Sequence, residues 1–88
     1  MITTKKRLGT ITVFLKDREK NSQKLNIIMS KKGSLIMAKL GVNVQPKCIS
    51  NCNGLIALAV QGTEQEISEL TKSINSLKDI EAKYLIIA

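Results

Sequence analysis

Histidine and tryptophan are absent from these 88 residues, and Phe14 and Tyr84 are the whole aromatic complement. Without an imidazole, catalysis would fall to a perturbed carboxylate in a cleft or to a Ser or Cys activated by a neighbouring base. No such grouping can be read. Five of the seven acids, Glu64, Glu66, Glu69, Asp79 and Glu81, lie on or beside one amphipathic segment, where solvent is their natural setting. The expectation is a protein that is not an enzyme and holds no cofactor. The scarcity of aromatics also argues against base stacking of the kind RNA-binding sheets use. No apolar run reaches 18 residues, and residues 1–8 are basic without the apolar stretch of a secretory signal, so a cytoplasmic protein with no membrane anchor is expected. Two cysteines, Cys48 and Cys52, are too few for a disulfide framework, and a reducing compartment would keep them as thiols.

Acidic charge is scarce as well. Fourteen Lys and Arg face seven Asp and Glu, a formal net charge of +7. Residues 1–47 hold eleven basic side chains against Asp17 and Glu19, a surplus of nine, whereas residues 48–88 hold three basic against five acidic. The cationic half can steer the molecule toward nucleic acid or an acidic partner, or can simply solubilise it.

What is present is a short chain of regular alternation. Residues 1–6 show no periodicity and read as a frayed end. Residues 9–15 alternate Ile11, Val13 and Leu15 with Thr10, Thr12 and Phe14, a strand with one core face. Asp17 then offers itself as the N-cap of a helix running through Leu25, Ile28 and Met29 to Lys32 and closed by Gly33. On that helix Lys20, Lys24 and Lys31 project within about 40° of one another, a lysine ridge beside a thin apolar face. Residues 34–42 read as a second strand, with Leu35 and Met37 on a face that helices do not cover. Residues 43–53, with Pro46, three Asn and both Cys, read as a turn-rich connection.

The sequence Gly54-Leu-Ile-Ala-Leu-Ala-Val60 is an uninterrupted apolar run and reads as a buried central strand. Thr63 and Glu66 then form a Thr-x-x-Glu capping box, and Ile67, Leu70, Ile74 and Leu77 make a stripe within about 80° on the helix it opens. Residues 80–87 return as the last strand. The order strand, helix, strand, strand, helix, strand predicts an α+β, ferredoxin-like β-α-β-β-α-β domain over residues 1–88: a four-stranded antiparallel sheet with both helices on one face. The other face would be too apolar for a lone chain, so a dimer or tetramer formed through the sheet is expected.

Several of these segments occur together in a known family. Lys16-Asp17-Arg18-Glu19-Lys20 after the first strand, Met37-Ala38-Lys39-Leu40-Gly41-Val42 at the end of the second, the apolar run 54–60 and Gly62-Thr63 before the last helix resemble the regulators of the iron-only hydrogenase system. These are ACT-like proteins of similar length, akin to the C-terminal domain of nickel-responsive repressors. The resemblance spans about residues 7–87. It implies an ACT-like fold, self-association through the sheet, and a regulatory or sensory role in hydrogenase expression, with transcription regulation as its setting. The Cys48-Ile-Ser-Asn-Cys52 segment departs from the family pattern.

Three sets of candidate site residues follow. Asp17, Arg18 and Glu19 stand at the mouth of the first helix, where ACT domains take small effectors, and free helix amides suit a carboxylate or phosphate. The Pro-Gly that usually follows Asp-Arg in ACT domains is here Glu19-Lys20, and Asp17 also reads simply as a cap. Cys48 and Cys52 could supply half of a tetrahedral metal site, though with no histidine present two unpaired loop thiols is the plainer reading and a nickel site is disfavoured. Lys5, Lys6 and Arg7 with Lys20, Lys24 and Lys31 could contact phosphates of a nucleic acid non-specifically. The sequence therefore reads as a non-enzymatic regulatory or ligand-sensing module that self-associates, the alternative being a nucleic-acid-associated adaptor working through its basic half.

Overall fold

The computed structural model of the protein describes residues 5–42, 44–45, 47–49 and 52–88. The frayed end expected for residues 1–6 lies outside the described residues except for Lys5 and Lys6, and the turn expected at Pro46 lies outside them too. Four strands and two helices follow in the order β1 (Arg7–Leu15), α1 (Arg18–Lys31), β2 (Ile36–Val42), β3 (Gly54–Gly62), α2 (Glu64–Asn75) and β4 (Ile80–Ile86). The strands form one sheet in the order β2-β3-β1-β4, with every neighbouring pair antiparallel. This is the expected ferredoxin-like, ACT-like α+β architecture.

Register decides which side chains reach the core. Ile11 stands between Leu58 and Tyr84, Val13 between Ile56 and Ala82, and Leu15 between Gly54 and Ile80. Successive residues of a strand point to opposite faces, so Ile11, Val13 and Leu15 share one face with Leu58, Val60, Ile80 and Ala82. Leu25 and Met29 of α1 and Ile67, Leu70 and Ile74 of α2 close over that face in a single buried cluster. Each of these side chains stabilises by roughly 1.5–3 kcal/mol on burial. Both helices thus lie on the same side of the sheet.

The helix ends differ from one another. Thr63 and Glu66 make the predicted capping box, the Glu66 N–H donating to Thr63 Oγ1 at 3.1 Å and the Thr63 N–H donating to Glu66 Oε1 at 2.9 Å. Helix α2 ends at Asn75, so Leu77 lies beyond it and packs half-buried against the core rather than within the stripe. Helix α1 stops before Gly33, which takes no left-handed conformation; Gly33–Leu35 instead make a 3₁₀ turn.

That turn and a bulge between Ile36 and Ala38 change the parity of the second strand. Leu35, expected on the uncovered face, drops into the core, while Leu40 and Val42 are carried to the far face opposite Ala57 and Leu55. A bulge adds one residue to one strand of a pair, which the apolar pattern of residues 35–42 does not reveal. Gly9 marks a close approach on the other side of β1: a Cβ there would collide with the Leu85 carbonyl oxygen of β4.

The far face of the sheet carries Phe14, Leu55, Ala57, Leu40, Val42 and Leu85, and among the described residues no helix covers it. Leu40 is 63% exposed and Leu85 59%.

Candidate functional site

The connection from β1 to α1 is two residues long, and it is closed by bonds that reach across the chain. Asp17 takes a left-handed backbone conformation at φ 47°, which Asp tolerates better than most residues. Its side chain makes no capping bond. This corrects the expected side-chain N-cap: the Asp17 carbonyl instead accepts the Lys20 and Asn21 amides, both at 3.0 Å. Buried Asn21 holds the turn from below, its Nδ2 donating to the Lys16 carbonyl at 2.6 Å.

The first amide of α1 is taken by the connection between β2 and β3. The Arg18 N–H donates to the Cys52 carbonyl at 2.7 Å, and the Asp17 N–H donates to Asn53 Oδ1 at 3.3 Å. Asn53 is held in turn, its N–H donating to Gln45 Oε1 at 2.8 Å. Cys48 and Cys52 are joined by a disulfide, which replaces the free thiols expected. On the loop-entropy account a bridge across so short a separation stabilises by only about 2 kcal/mol. Among the described residues no group of three or more Cys, His, Asp or Glu side chains is placed to hold a metal ion.

These elements enclose a cleft of about 610 Å³. Arg18, Glu19 and Ser22 of α1 form one wall, Gly41 and Val42 of β2 with Gly54, Leu55 and Ile56 of β3 form the floor, and Cys48, Ile49 and Cys52 form the rim. Gly54 lets the helix come down onto β3, since a Cβ there would sit 3.0 Å from Leu15 and 3.4 Å from Arg18. Gly41 does the reverse: a Cβ on it would meet nothing within 4 Å, so its missing side chain is open volume.

Two sets of residues that the sequence holds apart therefore meet. Arg18 and Glu19 line the cleft together with Cys48 and Cys52, whereas Asp17 lines no part of it. The amides expected to be free at the helix mouth are partly used, Arg18's by Cys52. The Arg18 side chain is exposed and lines the cleft.

Of the six basic residues considered for nucleic acid, Lys20, Lys24 and Lys31 lie along α1. Lys20 and Lys31 are about 16 Å apart along α1 at 1.5 Å per residue. Arg7 is engaged elsewhere, its Nε donating to the Ala88 carbonyl at 3.0 Å and its Nη1 lying 3.8 Å from Glu64. Lys6 stands with Lys32 near Glu66 at the start of α2. That carboxyl is held below its ordinary value, first by the Thr63 backbone N–H and then by the Thr63 hydroxyl, with the two lysines adding to the effect.

Sequence reasoning missed the part played by Gln45, Asn53 and Gly41. Asn53 was legible only as a turn residue, and Gly41 as the end of a strand. Among the described residues no helix is long and apolar enough to cross a membrane.

The sequence model of the TM1266-like family, described as "Iron-only hydrogenase system regulator, putative", matches residues 7–84. Among curated proteins none matches. The fold is similar to that of protein TM1266 from Thermotoga maritima, at TM-score 0.82 and 19% identity over 96% of this chain and 100% of that one. It is also similar to the ACT domain of a GTP pyrophosphokinase from Chlorobium tepidum, at TM-score 0.72 and 11% identity over 91% and 86% of the two chains. A nitrogen regulatory PII-like protein of Thiomonas intermedia K12, bound to ADP, AMP and bicarbonate, aligns at TM-score 0.57 and 10% identity over 99% and 92%.

Proposed function

The chain belongs to the TM1266-like family, and from that premise we propose that it is a non-enzymatic regulatory module that self-associates through its sheet and senses a small effector in the cleft beside α1. The observation that carries the reading is the pairing of Arg18 and Glu19 on one wall of a preformed cleft floored by glycine and apolar side chains. A guanidinium and a carboxylate side by side suit a ligand with both charges, an anionic group toward Arg18 and an ammonium toward Glu19. A free α-amino acid has that chemistry and fits a volume of this size. The ACT and PII-like relatives support a sensing role, one of them with nucleotides and bicarbonate bound. The family's description supports the iron-only hydrogenase system as what is regulated.

Self-association is supported by the uncovered apolar sheet face. Leu40, Val42, Leu55 and Leu85 lie there with Phe14, and a second copy seated on them would remove their surface from water. The cytoplasm is the setting that a regulator of this kind requires.

A thermal-shift screen of amino acids and small carboxylates tests the effector reading, because a ligand that binds only the folded chain raises its melting point. Gly41→Phe is the control: Gly41 lines the cleft, and a Cβ at this position would meet nothing within 4 Å, so a side chain can be introduced there. The reading predicts a shift in the natural protein that is lost in the variant at equal basal stability. Equal shifts in both, or none in either, overturn it.

A further inference from the structure

We propose that Cys48 and Cys52 are a reversible thiol–disulfide switch whose oxidised form holds the Cys52 carbonyl on the Arg18 amide and so fixes the rim of the cleft. The bridge is local. It spans four positions of sequence and ties neither sulfur to a strand or a helix, so the core cluster of Ile11, Leu58 and Ile67 does not depend on it. Opening it therefore leaves a folded protein with a changed rim.

The placement of the two sulfurs suits exchange. Cys48 is half-buried and lies on the rim of the cleft, while Cys52 is buried to 9% exposure beneath it. A small thiolate approaching through the cleft attacks Cys48 Sγ; the S–S bond breaks, Cys52 leaves as a thiolate, and a mixed disulfide remains on Cys48. A second thiolate attacks the outer sulfur of that mixed disulfide and releases Cys48. The protein gains two electrons and two protons, and two small thiols become one small disulfide. Arg18 lines the same cleft as both cysteines, and a nearby cation favours a departing thiolate.

The consequence passes through hydrogen bonds already described. Cys52 carries the acceptor for the Arg18 N–H, and Asn53, next in sequence, carries the acceptor for the Asp17 N–H. Gln45 ties the same turn from its other end, its carbonyl accepting the Cys48 N–H at 2.9 Å and its Oε1 accepting from Asn53. With the bridge open, the hydrogen bond from the Arg18 N–H to the Cys52 carbonyl loses the covalent restraint beside it and opens more often, and in the opened form the first amide of α1 is available to an anion in the cleft. As regulation of effector binding this rests on the function proposed above, whereas the exchange itself does not.

The test uses the full chain without ligand, equilibrated in reduced and in oxidised glutathione. Alkylation read by mass spectrometry counts thiols, far-ultraviolet circular dichroism follows the fold, and amide hydrogen exchange reads Arg18. The expected result is two alkyl groups in the reduced buffer and none in the oxidised one, with an unchanged dichroism spectrum. Exchange at Arg18 is expected to rise about tenfold on reduction, in keeping with the loss of one hydrogen bond, with Val13 unaffected and full reversal on reoxidation. A bridge that resists thiols until the chain unfolds, two free thiols in the oxidised buffer, or equal Arg18 exchange in both states overturns the proposal. A positive result here with no effector shift in the Gly41→Phe comparison would sink the sensing role and leave the switch standing.

Discussion

The side chain of Asn75 pairs with both main-chain groups of Ala82: the Ala82 N–H donates to Oδ1 at 2.7 Å and Nδ2 donates to the Ala82 carbonyl at 2.9 Å. The last residue of α2 thus serves as a strand partner for the outer rim of β4. Strand edges with unpaired main-chain groups invite other chains, and here the β4 edge is blunted where it passes the helix. At the opposite edge, β2, no hydrogen bond from a side chain to the outer rim is found among the described residues. Asn75→Ala should cost ~1–2 kcal/mol, the range for lost hydrogen bonds at a half-buried site. Chemical denaturation should show the loss, and light scattering should show association that the natural chain lacks at that edge.

The capping box gives a pH dependence of defined sign. The Glu66 carboxyl is depressed below its ordinary value of 4.5 by the Thr63 hydrogen bonds. A group with a lowered folded-state value stabilises fully above its unfolded value and loses that contribution as pH falls through the folded one. Natural protein and Glu66→Gln should therefore differ in melting point at neutral pH and converge as acid protonates that carboxyl, below its ordinary value. Thr63→Ala removes the hydroxyl acceptor and should cost about 1 kcal/mol at neutral pH, a drop of roughly 4–8 °C for a chain of this size.

Gly9→Ala tests the close approach of β1 and β4. Its methyl has no room against the Leu85 carbonyl oxygen, so the two strands must separate or bend. An overpacked site of this kind costs about 1–3 kcal/mol. Calorimetry checks the magnitude, and hydrogen exchange should place the loosening in β4 rather than in β3.

The element order, the single-sided helices and the α2 cap could be read from residue type alone because they rest on local patterns: an apolar run, a Thr-x-x-Glu box, a stripe of period 3.6. The edges of that reading fail where contacts are distant in sequence. Asp17 looked like a side-chain cap, yet the helix start is served by Cys52 and Asn53, more than thirty residues away. Leu35 looked like a far-face residue because nothing in the apolar pattern of residues 35–42 marks a bulge. Of the cleft, Arg18, Glu19, Cys48 and Cys52 were legible individually as chemistry. That they share one space follows from the sheet order, which sets the end of β2 beside the start of β3 under the first turn of α1.

Self-association through the uncovered face of the sheet is the claim on which the regulatory account most depends, and sedimentation equilibrium at micromolar concentration tests it directly. The natural chain should show the mass of two or more copies, and Leu40→Lys, which places a charge on an exposed far-face position, should reduce it to one copy with the dichroism spectrum intact. A natural chain that sediments as a single copy at every concentration would contradict the account.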